Sequence, residues 1–321
     1  MIETLQHITL KKDTCGCRGN HLSVHVRMNR YDPTRTMGLQ NAWIRQLNSR
    51  FAAILRAIYT KVVVEDGFGL KLPKIASYNE FAFGRSDEKV EAFMNWLKQQ
   101  EAQGLLQTTT LNQYGTGIEK AWTNVYIEDS YKRGLQRAQT ELSKTDLTMG
   151  VPNQNMAYTM NNPFHVDRVG ALYSRTFNEL KGITAAMDTQ ISRVLAQGLV
   201  DGDNPMLLAR KMKAIIAGGG GDLGITDTLG RFIPAKRRAE MMARTEVIRA
   251  HHQGMIQEYE NYGLLGVKVQ AEWATSGFDV CEKCAGMEGQ VYTLAEIRNM
   301  IPAHPNCRCI ALPVEVEAGK K

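Results

Sequence analysis

The sequence predicts a mainly α protein, with a long helical body followed by a small α+β module. Three observations carry this expectation. Apolar residues recur at spacings of three and four over most of the chain, which places them on single helix faces. After Gly263 the apolar period changes to two, the spacing of strands. Four of the six cysteines of the 321-residue chain fall in its last fifth, between Asp279 and Cys309.

The length exceeds one ordinary core, given about 150 residues per domain. The composition shifts suggest an N-terminal arm over 1–38, a helical body over 39–233 and a C-terminal domain over 234–321. The α+β module is expected at about 263–314 of that last part. Apolar content is 43%, ordinary for a globular chain. No stretch is long, uncharged and apolar enough to suggest a membrane span. The start "MIETLQHITLKKDTCGC" lacks a basic segment followed by an apolar one, so no secretory signal is expected. Cysteines paired as C-x-x-C in a chain of this size point to metal or redox chemistry in a reducing compartment, rather than to disulfide staples.

Net charge is +6, unevenly spread. Residues 1–61 carry +7 and 205–249 carry +5, while 62–204 and 250–321 each carry −3. Two basic zones thus alternate with acidic ones. They suit nucleic acid or an acidic protein surface, and equally a solvated helix face.

The elements follow in order. "HLSVHVRM" alternates weakly and reads as a strand. "LQNAWIRQLNSRFAAILRAIYTKVV" is the first strong helix, with Trp43, Leu47, Phe51, Ile54, Leu55 and Ile58 on one face. "EDGFGLKLPKIASYNEFAFG" breaks it. The second helix, "SDEKVEAFMNWLKQQEAQG", has Ser86 as N-cap and Gly104 as stop, with Lys89 where a capping box needs an acid. A third is expected over "GIEKAWTNVYIEDSYKRGLQRAQTEL".

A loop, "LSKTDLTMGVPNQNMAYTMNNP", leads to a periodic segment from Phe164 to about Leu199. This segment places Val169, Tyr173, Phe177, Leu180, Ile183, Met187, Ile191 and Leu195 on one face, as in a packed hairpin or bundle member. Asn204 and Pro205 open another helix. Four glycines at 218–221 follow, but no lysine stands where a phosphate-binding loop needs one. The last long helix runs from Pro234 to Gly263, with Met241, Ile248, Met255 and Tyr262 as a buried stripe and Glu240 facing Arg244. His251 and His252 are adjacent, so they do not share an ion, and a polar surface role is expected. Strands follow at "VKVQAEWATS", with Val267, Val269, Ala271 and Trp273 on one face, and at "CRCIALPV".

The cysteine-rich end reads C-x2-C-x19-H-x2-C-x-C. Two thiolates three residues apart on a tight turn can reach one ion, and Gly286 and Gly289 let the chain return. The second half offers His304 and Cys307, with Cys309 on the same strand face as Cys307. Tetrahedral zinc takes four sulfur or nitrogen ligands, and five are present. The first choice is Cys281, Cys284, His304 and Cys307, with Cys309 in exchange for His304 or Cys307 as the main variant. A filled four-ligand site is closed to water and substrate, which favours a structural Zn2+. Redox C-x-x-C chemistry finds no βαβ pattern here, and the deaminase order H-x-E…P-C-x-x-C is absent. Free buried thiols and a nuclease-like site around His304 and Asn306 are the other readings. Cys15 and Cys17, with only His21 near them, are taken as inert thiols.

The run "ARTEVIRAHHQG…W…D-x-C-x-x-C…G…Y…HPNCRC…PV" resembles the C-terminal domain of phage head-morphogenesis proteins, the Mu F-like minor head proteins. The residues that carry the resemblance are Arg244, Thr245, Glu246, Trp273, Asp279, Cys281, Cys284, Gly289, His304, Pro305, Cys307, Arg308 and Cys309. They span about 235–314. The resemblance implies a virion protein associated with the portal, other capsid proteins and the head interior, with no catalytic residues and with packaged double-stranded DNA as a further partner. The alternative from another class is a zinc-containing DNA-binding or nuclease-like enzyme. Asp279 is expected to accept N–H bonds around the first knuckle or to orient a ligand. Arg244 and Glu246 are expected to tie the long helix to the module, and Arg308 to face away from the ligands.

Overall fold

The computed structural model describes residues 32–69, 86–113, 116–145, 159–219, 233–264, 268–277 and 279–315. The expected strand at "HLSVHVRM", Cys15, Cys17, His21, Val267 and most of the glycine-rich loop lie outside the described residues. Eight helices and two antiparallel sheets are found among those described, a mainly α architecture as the periodicity predicts.

Helix α1 (Met37–Tyr59) continues into a π-helical turn over Thr60–Val64. The Asp32 carboxylate accepts from the backbone N–H groups of Thr36 and Met37 at 3.0 and 2.9 Å, so an acid five residues upstream does the capping. Trp43, Leu47, Phe51, Ile54 and Ile58 form the buried face. Helix α2 (Ser86–Gln103) stops before Gly104, as expected, and buries Phe93 and Leu97.

The third helix starts later than the sequence suggests. Strands β1 (Thr108–Gln113) and β2 (Thr116–Ala121) pair as a hairpin, with Thr108 opposite Ala121 and Gln113 opposite Thr116. The β-branched run Thr108–Thr110 supplies a partner strand, and cross-strand pairing overrides the modest helix propensity of "GIEKA". Trp122 closes the hairpin. Its indole donates to the Leu105 carbonyl at 2.8 Å, and the Arg50 guanidinium lies 4.1 Å from the ring centroid. Helix α3 then covers Asn124–Leu142.

Helix α4 (Pro163–Asp201) is one unbroken helix of 39 residues, not a hairpin. Asn162 caps it by accepting from the Phe164 N–H, and Gly202 ends it in the left-handed region at φ 74°. Its buried face differs from the expected one. Leu172 and Thr176 are buried, whereas Tyr173 and Phe177 are half-buried, because the Tyr173 hydroxyl reaches out to Glu128 at 2.9 Å and Lys181 covers the Phe177 ring. Helix α5 (Pro205–Ala217) is capped as the sequence predicts, with the Asn204 side chain accepting from the Leu207 N–H at 2.9 Å.

Helix α6 (Ala235–Leu264) organises the rest. It packs on α1, α3, α4 and α5 and on the C-terminal sheet. A helix enclosed on all sides carries buried residues around its whole circumference. Ala239, Ala243 and Val247 join one hydrophobic cluster with α1, α2, α4 and α5, while Met255, Ile256, Tyr259 and Tyr262 join a second with the sheet. His251 and His252 are 1% and 2% exposed, so the expected surface role is wrong: neighbours cover both faces of α6 here. Glu240 pairs with Arg237 at 3.2 Å rather than with Arg244.

The contact between α3 and α6 is backbone against backbone. A Cβ on Gly134 would stand 2.0 Å from the His251 carbonyl oxygen, and one on Gly254 would stand 2.4 Å from the Tyr131 carbonyl oxygen. Ser130 adds a hydrogen bond to the Val247 carbonyl at 2.6 Å.

Strands β3 (Val269–Ala274), β4 (Val291–Tyr292) and β5 (Ile310–Glu315) make a three-stranded sheet in the order β4-β3-β5. Short helices α7 (Glu282–Ala285) and α8 (Leu294–Ile297) lie between the strands in sequence. No helix among the described residues is long and apolar enough to cross a membrane.

Three outcomes are expected. Gly134→Ala or Gly254→Ala forces backbones apart and should cost at least 2–3 kcal/mol, roughly the upper range of overpacking, in urea unfolding. Gly182→Ala, whose Cβ would meet nothing within 4 Å, should be neutral or stabilise by up to about 1 kcal/mol. Burial lowers His251 to about 3 and His252 to about 4, from an ordinary value of 6.5. Their folded pKa values are depressed, so stability is complete above about 6.5 and is lost progressively as pH falls toward 4. Chemical unfolding between pH 7 and 4 reads this, and a flat profile would contradict it.

Candidate metal centre

The site is built from two turns joined by the sheet. Cys281 is the N-cap of α7, and its sulfur accepts from the Cys284 N–H at 3.5 Å, which draws the two thiols onto one side of a tight turn. Beyond α7 the chain turns back at Gly289, whose φ of 75° favours glycine. Gly289 N donates to the Trp273 carbonyl at 2.9 Å, and Trp273 N donates to Gln290 O at 2.8 Å, which fixes this turn to β3. A capping box between Thr293 and Glu296 then starts α8.

The second turn covers Ala303–Cys307. Cys307 N donates to the His304 carbonyl at 3.1 Å, and Asn306 sits at φ 61°. Cys309 directly precedes β5, whose first residue, Ile310, pairs with Ala274. Sheet pairing therefore returns the second turn to the first.

All five expected ligands meet, as two triads that share Cys284. Cys281, Cys284 and His304 have their ligand atoms within 4.8 Å of one another, and so do Cys284, Cys307 and Cys309. His304 Nε2 is 3.2 Å from both the Cys281 and the Cys284 sulfur. In a tetrahedral site with metal–sulfur and metal–nitrogen lengths near 2.3 and 2.05 Å, sulfur and nitrogen stand about 3.5 Å apart. Cys281 is exposed, while Cys284, Cys307 and Cys309 are buried, and all four are free thiols.

The imidazole is oriented as a ligand. His304 Nδ1 donates to the Pro305 carbonyl at 2.8 Å, which leaves the Nε2 lone pair directed at the two sulfurs. A backbone carbonyl holding the far nitrogen is how metal-binding histidines are usually fixed. The buried sulfurs divide their protons unequally. The hydrogen bond from Cys309 holds the Cys307 thiol down to about 5, and donating that bond pushes Cys309 up. Burial pushes Cys284 up to about 12. A cation bound here would displace the protons these sulfurs share. The donor set is soft, of sulfur and imidazole, and these groups could hold a metal ion.

The residues that seat this site on the fold differ from those expected. Glu246 pairs with Arg175 of α4 and Arg249 of its own helix, not with the module. The neighbouring Thr245 makes the connection instead, its hydroxyl accepting from Asn306 N at 3.2 Å. Further along α6, His252 Nε2 donates to Ile297 O at 2.9 Å, Gln253 to Arg298 O at 2.7 Å, and the Tyr259 hydroxyl to Ala311 O at 3.2 Å. Glu260 pairs with Arg298. Thr245, His252 and Tyr259 are seven apart, one line along the helix. Of this line only His252 carried an expectation from the sequence, a polar surface role, which its contact with Ile297 O replaces.

Asp279 offers its carbonyl rather than its carboxylate. The carbonyl accepts from Arg308 Nη2 at 3.2 Å, and the exposed carboxylate is 3.9 Å from the same nitrogen. Arg308, which precedes β5 and so is outside the strand alternation expected for it, links the two ligand-bearing turns through this bond.

Thr245→Val removes the acceptor for Asn306 N and should cost about 1–3 kcal/mol, the usual penalty for a stranded donor. Denaturant unfolding measures this, with unchanged helical circular dichroism as the control.

No curated protein and no solved structure matches the chain. Residues 189–312 do match a family model, which extends the resemblance upstream from the start of α6 into the last part of α4 and all of α5. The C-terminal region of this chain thus matches the family described as Phage Mu protein F like protein.

Proposed function

We propose that the chain is a non-enzymatic minor head protein of a tailed phage, whose C-terminal domain, 234–321, is closed by one structural Zn2+. The ligands are Cys284 and three of Cys281, His304, Cys307 and Cys309, with Cys309 the first candidate to be the spare. The cluster of five ligands in two triads around Cys284 is the observation that carries the reading. The family match supports a phage head role. A structural role is supported by His304, which has one ring nitrogen against two sulfurs and the other on a carbonyl, so none remains for a water or a phosphodiester.

The physical argument for zinc is size. The module has one three-stranded sheet, with β4 only two residues long. So small a unit buries too little to be comfortably stable alone, and zinc contributes roughly 10–16 kcal/mol of apparent binding energy in finger peptides. In this reading the protein acts in head assembly or in DNA packaging and delivery. It resides in the virion, at the head interior or portal vertex, after assembly in the host cytoplasm. Its partners are the portal and other capsid proteins. Packaged double-stranded DNA meets the basic zones, where phosphate contacts would make binding strongly salt-dependent.

Purified protein should contain close to one zinc per chain by elemental analysis. Cys284→Ser should abolish it, because Cys284 belongs to both triads. Among single changes at Cys281, His304, Cys307 and Cys309, three should release zinc and one should not. The nuclease-like alternative requires divalent-metal-dependent DNA cleavage lost in His304→Ala. Such cleavage, or a protein free of zinc, would sink the proposal.

A further inference from the structure

A second cluster of titratable groups lies far from the thiols. Glu101, in the last turn of α2, is 3% exposed. Asp188 stands on the facing side of α4. Glu101 Oε1 and Asp188 Oδ1 are both sealed from solvent, and neither receives a hydrogen bond from any N–H or hydroxyl donor. Each carboxyl acts on the other as a near neighbour, and with no donor supplied by the rest of the protein the two can bond only to each other. Two carboxylates have only acceptors, so such a bond exists only if one of them carries a proton.

The surroundings favour a proton over a cation. Groups of three or more metal-ligating side chains occur, among the described residues, only at the thiol site, so a divalent ion would find two carboxylates and little else. Lys98, on the same helix as Glu101, acts on both carboxyls and can balance one negative charge, not two. On α1, Arg50 is engaged elsewhere, with the Gly104 carbonyl and Gln107. Asp87 and Glu91 lie further along α2 and add only negative charge. A groove of about 590 Å³ runs between α2 and α4, lined by Asp87, Glu91, Met94 and Lys98 on one side and Asp188 and Ser192 on the other. Asp188 lines this groove, which gives the pair a route to solvent.

We propose that Glu101 and Asp188 share a single proton and that this proton latches α2 onto α4. The proton resides on Glu101, whose hydroxyl donates to the Asp188 carboxylate. When it is lost, two like charges face each other across a buried contact and α2 is released from α4. The charge states agree with this. Burial and the neighbouring Asp188 push Glu101 up to about 9, and burial raises Asp188 too, an effect that Glu101 and Lys98 offset only in part. The folded pKa of Glu101 lies above the ordinary 4.5, so the latch is complete at acid pH and weakens as pH rises through the window up to about 9.

Two measurements on the full chain test this. In the wild type, difference infrared spectroscopy at pH 7 should show the C=O stretch of one buried carboxylic acid, absent in Glu101→Gln. The glutamine amide can donate to Asp188 without a titrating proton. The folding constant of the wild type relative to Glu101→Gln should therefore fall by up to about tenfold per pH unit between pH 5 and 9. Asp188→Asn should flatten the profile in the same way, which keeps the test decisive should the first variant fold poorly. Parallel pH profiles, with no carboxylic acid band at pH 7, would overturn the latch. So would stabilisation by calcium or magnesium that Glu101→Gln abolishes, since the pair would then hold a cation.

Discussion

The structure depends on one close contact, the crossing of α3 over α6 at Gly134 and Gly254. Each glycine faces a carbonyl of the opposite helix at a distance that admits no side chain. Removing two Cβ atoms at a crossing brings the axes nearer than the usual 8–10 Å and lets backbone atoms pack on backbone atoms. On the same two helices Tyr131, Leu135 and Ile248 are fully buried. Because α6 also borders α1, α4, α5 and the sheet, its position sets the frame for both hydrophobic clusters.

The two halves of α6 do different work. The N-terminal half is rich in alanine on its buried sides, with Ala235, Ala239, Ala243 and Ala250, so that several helices can approach it at once. The C-terminal half carries larger residues, Met255, Ile256, Tyr259 and Tyr262, which fill the broader gap to the sheet. Thr245, His252 and Tyr259, at intervals of seven, together with Gln253 fasten the module to α6 from the end of its first half onward. Their partners are mostly main-chain atoms, Ile297 O, Arg298 O, Ala311 O and Asn306 N, so the attachment reads the path of the module's backbone. Three of the four thiols, Cys284, Cys307 and Cys309, belong to the same buried cluster. The helix supports a sheet that is too small to be independently stable.

Much of this was legible in the residues. The caps at Asn204 and Pro205, the stop at Gly104, the long helix ending near Gly263 and the strand containing Ala271 and Trp273 all follow from local chemistry acting over a few positions. The five side chains of the thiol cluster were legible as two local patterns, C-x2-C and H-x2-C-x-C, while the pairing of β3 with β5 is what brings the two together. The hairpin at Thr108–Ala121 was missed because a short strand takes its identity from its partner. The shift of the α4 face onto Leu172 and Thr176 was missed because both registers are apolar enough, and only the neighbour, Glu128 reaching to Tyr173, selects one.

By itself, the sequence determined the helical class, the change to strands after Gly263 and the five side chains of the thiol cluster, because periodicity, capping and knuckle spacing act within a few residues of chain. Only the tertiary structure decided that His251 and His252 are buried, that Thr245 rather than Glu246 holds the second turn, and that Glu101 and Asp188 are each sealed in without a donor. Each of these depends on which segment lies opposite, and no pattern within a single helix encodes what will cover it.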